Sequence, residues 1–304
     1  VADNTAVGKM ALSAFTGSGA TAVGSGALDA CTTVTTDLTA VGKDALGALN
    51  HADATENTAV GASAADALVG ATGAGKWNTA LGASSLGSSI DGTGNTAVGY
   101  TALYGGDCAN DNTAVGTAAL KVSTGSDATA VGSGAADAAV SDLGITAIGK
   151  NALGACNGGD YNTAVGASSG DGITVGNRNT SLGVWSLSAG ATDDNTALGY
   201  YSLVAYDGTD STAVGSGAAY ALAVGTDCVA VGKNALAGAA WFTEGGGAYN
   251  NDPTITHTAD ARIVAGLAVR GTGIPVGATI ASITDSTHFE LSASTTGGNL
   301  TGQT

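Results

Sequence analysis

The sequence predicts an all-β chain: a β-solenoid or β-roll of fourteen rungs, about 17 residues each, followed by a small β-module. Three observations lead there. A Thr-Ala-Val-Gly segment recurs along most of the chain, every copy closes on glycine, and large side chains are scarce. Glycine supplies 50 of the 304 residues, whereas charged residues make up 11% and aromatics 5%. An average domain carries roughly 7% glycine and roughly 25% charged residues. The apolar fraction is therefore mostly Ala and Val. Such small side chains bury little area each and suit thin layers packed close together rather than a wide core.

The repeat sets the architecture. Its closing glycines are Gly8, Gly24, Gly42, Gly61, Gly82, Gly99, Gly116, Gly132, Gly149, Gly166, Gly183, Gly199, Gly215 and Gly232, at intervals of 16 to 21 residues. The residue before each glycine is Val, Leu or Ile in all fourteen copies, and the one before that is Ala in thirteen, with Ser181 the exception. Thr fills the next column back except at Val229. Ala or Ser stands three residues after every glycine, and Leu stands four after it in ten copies. The linking stretches are rich in Gly, Asp, Ser and Thr, which is turn chemistry.

Along Asn-Thr-Ala-Val the side chains alternate with a period of two, the pattern of a short strand with two faces. The glycine then permits a turn or a close backbone approach. A second short extended piece is expected at Ala-Leu, before a polar loop returns the chain to the next rung. Glycine in every unit argues against helix, at roughly 1 kcal/mol per interior position. Rungs stacked at roughly 4.8 Å would make a rod roughly 60 Å long. The Val and Leu columns are expected to fill each chain's own core. The Ala column, on the opposite strand face, is expected to pack near an axis shared with other copies.

Asn95–Leu103 (NTAVGYTAL), Asn112–Leu120 (NTAVGTAAL) and Asn195–Leu203 (NTALGYYSL) resemble the repeats of marine phage tail-fibre and appendage proteins. They are also similar to the head repeats of trimeric autotransporter adhesins of the YadA type. The resemblance covers residues 1–240 or so. It implies a left-handed parallel β-roll, three chains side by side, serving attachment. Compared with the adhesins, the repeat here is longer and these 304 residues contain no heptad-repeat stalk and no C-terminal membrane anchor. Those differences favour the phage appendage.

The domain division expected is a repeat array over 1–244 and a small β-sandwich-like module over 245–304. Within the second, Thr279–Ile283 and His288–Leu291 read as strands joined through Asp285-Ser286-Thr287, with a turn at Gly273-Ile274-Pro275. The segment resembles a short β-domain of cyanophage structural proteins. A unit of ~60 residues is marginal alone and is expected to dock on the rod or on sister chains.

Composition excludes several functions. Net charge is −16, from 25 acids against 9 bases, so a nucleic-acid partner is disfavoured. No run approaches the ~18 consecutive apolar residues of a membrane span, so no membrane insertion is expected. Gly70–Lys76 (GATGAGK) has the glycine and lysine spacing of a phosphate-binding loop, but Trp77 stands where Ser or Thr would hold Mg²⁺, so it reads as an inter-rung loop. Cys31, Cys108, Cys156 and Cys228 lack metal-site spacing. Cys31 and Cys156 share one column seven rungs apart, roughly 34 Å at sheet spacing, too far for a disulfide. They read as buried thiols, with bridging between chains near a shared axis as the alternative.

His51, His257 and His288 show no nucleophile or carboxylate partner at recognisable spacing, and Asp107, Asp111, Asp160, Asp193 and Asp194 read as a solvated face. No catalytic, cofactor or metal residues emerge, and no enzymatic activity is expected. Trp77, Tyr100, Tyr104, Trp185, Tyr200, Tyr201 and Tyr206 are aromatics in polar rungs, where such a ring packs in its loop or stacks on a sugar ring; Trp77, Tyr104, Trp185 and Tyr201 are the candidate surface contacts. The function expected is a structural virion fibre or appendage, a homotrimeric rod contributing to host-surface attachment. Its partners would be copies of itself, other virion proteins and a host-surface glycan or protein. A bacterial trimeric surface adhesin head, on the cell surface, and a polysaccharide-degrading tailspike are the alternatives.

Overall fold

The computed structural model describes residues 3–32, 36–51, 54–68, 75–88, 91–106, 109–221, 227–237, 247–250, 254–256, 279–285, 288–292 and 299–303. The Gly273-Ile274-Pro275 turn, Ser286-Thr287, Cys108, Asp107, His257 and Gly70–Ala74 lie outside these residues. The chain divides into two compact units, Val1–Ala237 and Gly238–Thr304. That boundary falls seven residues before the expected one at 244.

Each copy of the repeat contributes one three-residue strand to the first unit. In chain order these are β1 (Thr5–Val7), β2 (Thr21–Val23), β3 (Thr39–Val41), β4 (Thr58–Val60), β5 (Thr79–Leu81), β6 (Thr96–Val98), β7 (Thr113–Val115), β8 (Thr129–Val131), β9 (Thr146–Ile148), β10 (Thr163–Val165), β11 (Thr180–Leu182), β12 (Thr196–Leu198), β13 (Thr212–Val214) and β14 (Val229–Val231). They form one fourteen-stranded parallel sheet in sequential order, the ladder of a β-solenoid. Equivalent columns pair throughout: Thr96 with Thr113, Ala97 with Ala114, Val98 with Val115. Coils of unequal length keep this register because the extra residues lie in the loops.

The return path is built from left-handed backbone, not from a second extended piece. Four columns per rung have positive φ in all fourteen copies: the closing glycine, the second and fourth residues after it, and the second residue before the strand. At Gly99 φ is +130°, and a Cβ there would stand 2.6 Å from the Gly116 carbonyl oxygen of the next rung. Only a residue without a side chain fits. The Leu column is the fourth residue, for example Leu28 at φ 51° and Leu120 at φ 48°. A left-handed leucine costs roughly 1–2 kcal/mol. Burying its side chain returns roughly 1.5–3 kcal/mol, and both leucines are fully buried. The turn backbone also pairs between rungs, as in Asp44 N–H to Ser25 O (2.9 Å) and Leu28 N–H to Ala45 O (3.1 Å).

The two strand faces are the reverse of the sequence expectation. Ala22, Ala97, Ala114 and Ala213 are fully buried inside their own chain, whereas the Val, Leu or Ile beside them points outward; Leu81 is 47% exposed and Leu198 40%. The reason is thickness. The column three residues after the glycine packs directly on the middle of the strand: Ser169 Oγ lies 2.7 Å from Ser181 Oγ. Across so short a gap only Ala or Ser fits. Ser181, the exception in the Ala column, thereby joins a buried hydroxyl network with Ser169 and Ser186, whose oxygens are 2.9 Å apart. The leucine column does fill the chain's own interior, as expected.

An asparagine ladder runs beside the core. Asn78, Asn95 and Asn112 precede their strands and are buried. Asn95 donates through Nδ2 to Ala109 O (2.8 Å), and its Oδ1 accepts the Asn112 N–H (2.9 Å). Each amide closes its own coil's loop and holds the next rung.

The second unit contains β15 (Gly247–Asn250), β16 (Thr254–Thr256), β17 (Ile280–Asp285), β18 (His288–Leu291) and β19 (Asn299–Gln303). They form a sheet in the order β17-β18-β16-β15-β19, antiparallel at every pairing. Strand β18 has the expected bounds, and β17 runs on to Asp285. Ile280, Phe289 and Leu291 are buried in it.

Candidate functional site

The outward sheet face of the first unit is a regular surface fourteen strands long. It presents a Thr ladder and a Val/Leu/Ile ladder, and no charged side chain stands in either. The acids lie beyond its margins. Asp37, Glu56, Asp111, Asp127, Asp194, Asp210 and Asp227 occupy the left-handed column before the strand, a conformation Asp adopts readily. Here Arg178 donates from Nε and Nη2 to the two oxygens of Asp194 on the next rung, both at 2.7 Å. The guanidinium holds the Asp194 carboxyl below its ordinary pKa. Asp160 and Asp193 are not merely solvated: Asp160 Oδ1 accepts the Leu143 N–H (2.9 Å) and Asp193 Oδ1 the Asn177 N–H (2.8 Å).

The four aromatic candidates separate into two groups. Trp77 stands in the left-handed column of the fifth rung, where its indole N–H donates to Glu56 Oε2 at 3.1 Å. Tyr104, on the sixth rung, lays its ring over Gly87, where a Cβ would meet Cδ2 at 2.7 Å. Trp185 and Tyr201 come together on rungs eleven and twelve, with ring centroids 6.5 Å apart and planes within 10°. Tyr200 packs edge-on to Tyr201 at 4.3 Å, and Tyr220 does so at 5.8 Å. Tyr220 is the member that sequence reasoning missed. The signal for it was its offset, five residues after Gly215, which is the offset of Tyr104 from Gly99. Tyr206 is internal; its hydroxyl lies 2.6 Å from Ser211 Oγ.

A buried carboxyl and a buried thiol lie near one another in the loops after β8 and β9. Asp142 is almost fully buried; its Oδ1 accepts the Gly158 N–H, and Oδ2 has no hydrogen-bond partner among the described residues. Burial pushes this carboxyl above its ordinary pKa. Burial, with the nearby Asp142 charge, pushes the Cys156 thiol up to about 12, so it stays protonated and unreactive. Cys31 is likewise buried. Among the described residues no group of three or more His, Cys, Asp or Glu is placed to hold a metal ion.

His288 has a carboxylate partner that spacing did not reveal. Its Nδ1 lies 2.9 and 3.0 Å from the Asp285 oxygens, across the pairing of β17 with β18. The two side chains are substantially exposed. Among the described residues no helix is long and apolar enough to cross a membrane. Comparison with protein-family models, curated proteins and solved structures finds no match to this chain.

Proposed function

We propose that this chain is a structural segment of a virion fibre or appendage: a homotrimeric, non-catalytic rod that contributes to attachment at a host surface. The observation that carries this reading is the outward face. Its Val, Leu and Ile column is exposed at Leu81, Val131, Ile148, Leu182 and Leu198 and half-buried at Val98, Val115 and Val165, although the chain carries a net charge of −16. A strongly acidic protein associates with its own copies only through a surface that brings no acids together. This face satisfies that condition over every rung. Fourteen rungs at about 4.8 Å and a width of about 10 Å give on the order of 600 Å². That is the scale of one partner's share of a specific interface, about 800 Å².

The number three, and the placement on a phage particle, rest on the resemblance of the NTAVG repeats to fibre proteins and trimeric adhesin heads. Attachment then works by multivalency, three chains in register multiplying weak contacts through effective concentration. Light scattering of the full chain tests the assembly. The expected mass is three times that of the chain, falling to that of one chain in a Val98→Asp, Val115→Asp variant whose β-sheet circular dichroism is retained. A monomeric parent overturns the reading, and so does release of oligosaccharides from host glycan. Imaging of whole particles separates a virion fibre from the bacterial adhesin head.

A further inference from the structure

Trp185, Tyr200, Tyr201 and Tyr220 gather on three successive rungs while remaining 42%, 53%, intermediate and 47% exposed, respectively. The fold does not require aromatics here. The column that holds Trp185 and Tyr201 holds Ser84, Ala118 and Ser168 in other rungs, with the same left-handed backbone. We propose that this cluster is a binding platform for neutral saccharides; the inference deepens the attachment reading above and rests on it for its biological setting.

The geometry supports stacking. The parallel Trp185 and Tyr201 rings stack in an offset arrangement with centroids 6.5 Å apart, and Trp185, Tyr200 and Tyr220 remain exposed, so apolar ring surface is left for a ligand. Pyranose rings present C–H faces that pack on such surfaces, while their hydroxyls need donors and acceptors at the rim. The rim provides them. In the same column the exposed Asn151 precedes Trp185, and the exposed Asn234 follows Gly217, with its Oδ1 lying over that glycine. The tyrosine hydroxyls add further polar edges. A purely apolar partner would leave these groups unpaired, at a penalty. Charge selects within the class. With a net charge of −16 the chain repels acidic glycans, so the sugar is an uncharged one.

The test uses the full chain, saturation-transfer NMR with maltohexaose, cellohexaose and mannohexaose, and oligogalacturonate as the acidic comparison. Saturation is expected on the ring C–H protons of at least one neutral oligosaccharide and not on the acidic one. Trp185→Ser and Tyr201→Ser place a residue native to that column and retain the fold. Each is expected to weaken binding about tenfold, the loss of one ring contact, with the solution mass unchanged. Absence of transfer to all three neutral sugars, or undiminished binding by the double variant, overturns the platform. A lower solution mass in either variant assigns the rings to chain–chain contact and also overturns it. A trimer that takes up no sugar defeats this inference alone; a monomer that binds sugar defeats the trimer alone.

Discussion

Asn112 donates its backbone N–H to the side-chain oxygen of Asn95 at 2.9 Å, across the boundary between two rungs. The same Asn95 amide closes its own coil by donating to Ala109 O at 2.8 Å. Replacing Asn95 by Ala leaves the buried Asn112 N–H and the part-buried Ala109 carbonyl without these partners. The expected loss is about 1–3 kcal/mol, read as a lower urea midpoint at unchanged slope. Asn95→Asp keeps the acceptor but loses the donor and buries a charge, so it is expected to be worse.

Ala97 and Val98 are neighbours with opposite tolerances. Ala97 is fully buried where the coil is thinnest, so Ala97→Leu overpacks it and is expected to cost about 1–3 kcal/mol. Val98→Leu is expected to be near neutral, because Leu81, Leu182 and Leu198 already occupy the outward column. Chemical denaturation of both variants checks the assignment of faces.

Glycine is required at one of two positive-φ columns and optional at the other. Gly99→Ala places a Cβ against the backbone of Gly116 at φ +130° and is expected to cost about 3 kcal/mol or more. Gly217→Asn keeps a left-handed backbone of the kind Asn151 (φ 54°) and Asn234 (φ 56°) adopt in the same column. Its Cβ meets only the end of the Asn234 side chain, which can rotate away, so the expected cost is about 0.5–1 kcal/mol. Thermal unfolding of the two variants separates the columns.

Stability is expected to rise under mild acid, the reverse of ordinary acid denaturation. Burial raises the carboxyls of Asp66, Asp137, Asp142 and Asp171 above their ordinary pKa. The folded chain therefore binds these protons more tightly than the unfolded chain. Their favourable contribution is complete below the unfolded carboxyl pKa and is lost as pH rises through the raised folded values. Asp194 runs the other way, since Arg178 lowers it, but its contribution is lost only as pH falls through that lowered value. The melting temperature should climb as pH falls from neutral towards the ordinary carboxyl pKa of about 4. In Asp142→Asn it should start higher at neutral pH and climb less.

Much of the fold was legible because a repeat states its own architecture. Fourteen spaced glycines fix rung count and register, and period-two alternation fixes a two-faced strand. Alternation does not say which face is inside. Hydrophobicity put Val inward; the space between the strand and the column of Ser169 admits only Ala or Ser. The left-handed leucines were equally illegible, because leucine avoids that backbone until a core repays it. At the candidate site, Trp185 and Tyr201 could be picked from sequence as aromatics in polar rungs. Their meeting with Tyr220 depended on the rung offset, and the His288–Asp285 pair on a strand register.

The parallel register has a consequence for how such a molecule changes over generations. Coils of 16 to 21 residues all return to the same hydrogen-bonding partners. Each interior junction thus resembles every other, and unequal crossing-over between two copies leaves a junction of the same kind. Gaining or losing one copy alters reach by about 4.8 Å without redesigning any neighbour. Length is inherited as an integer, open to selection one step at a time.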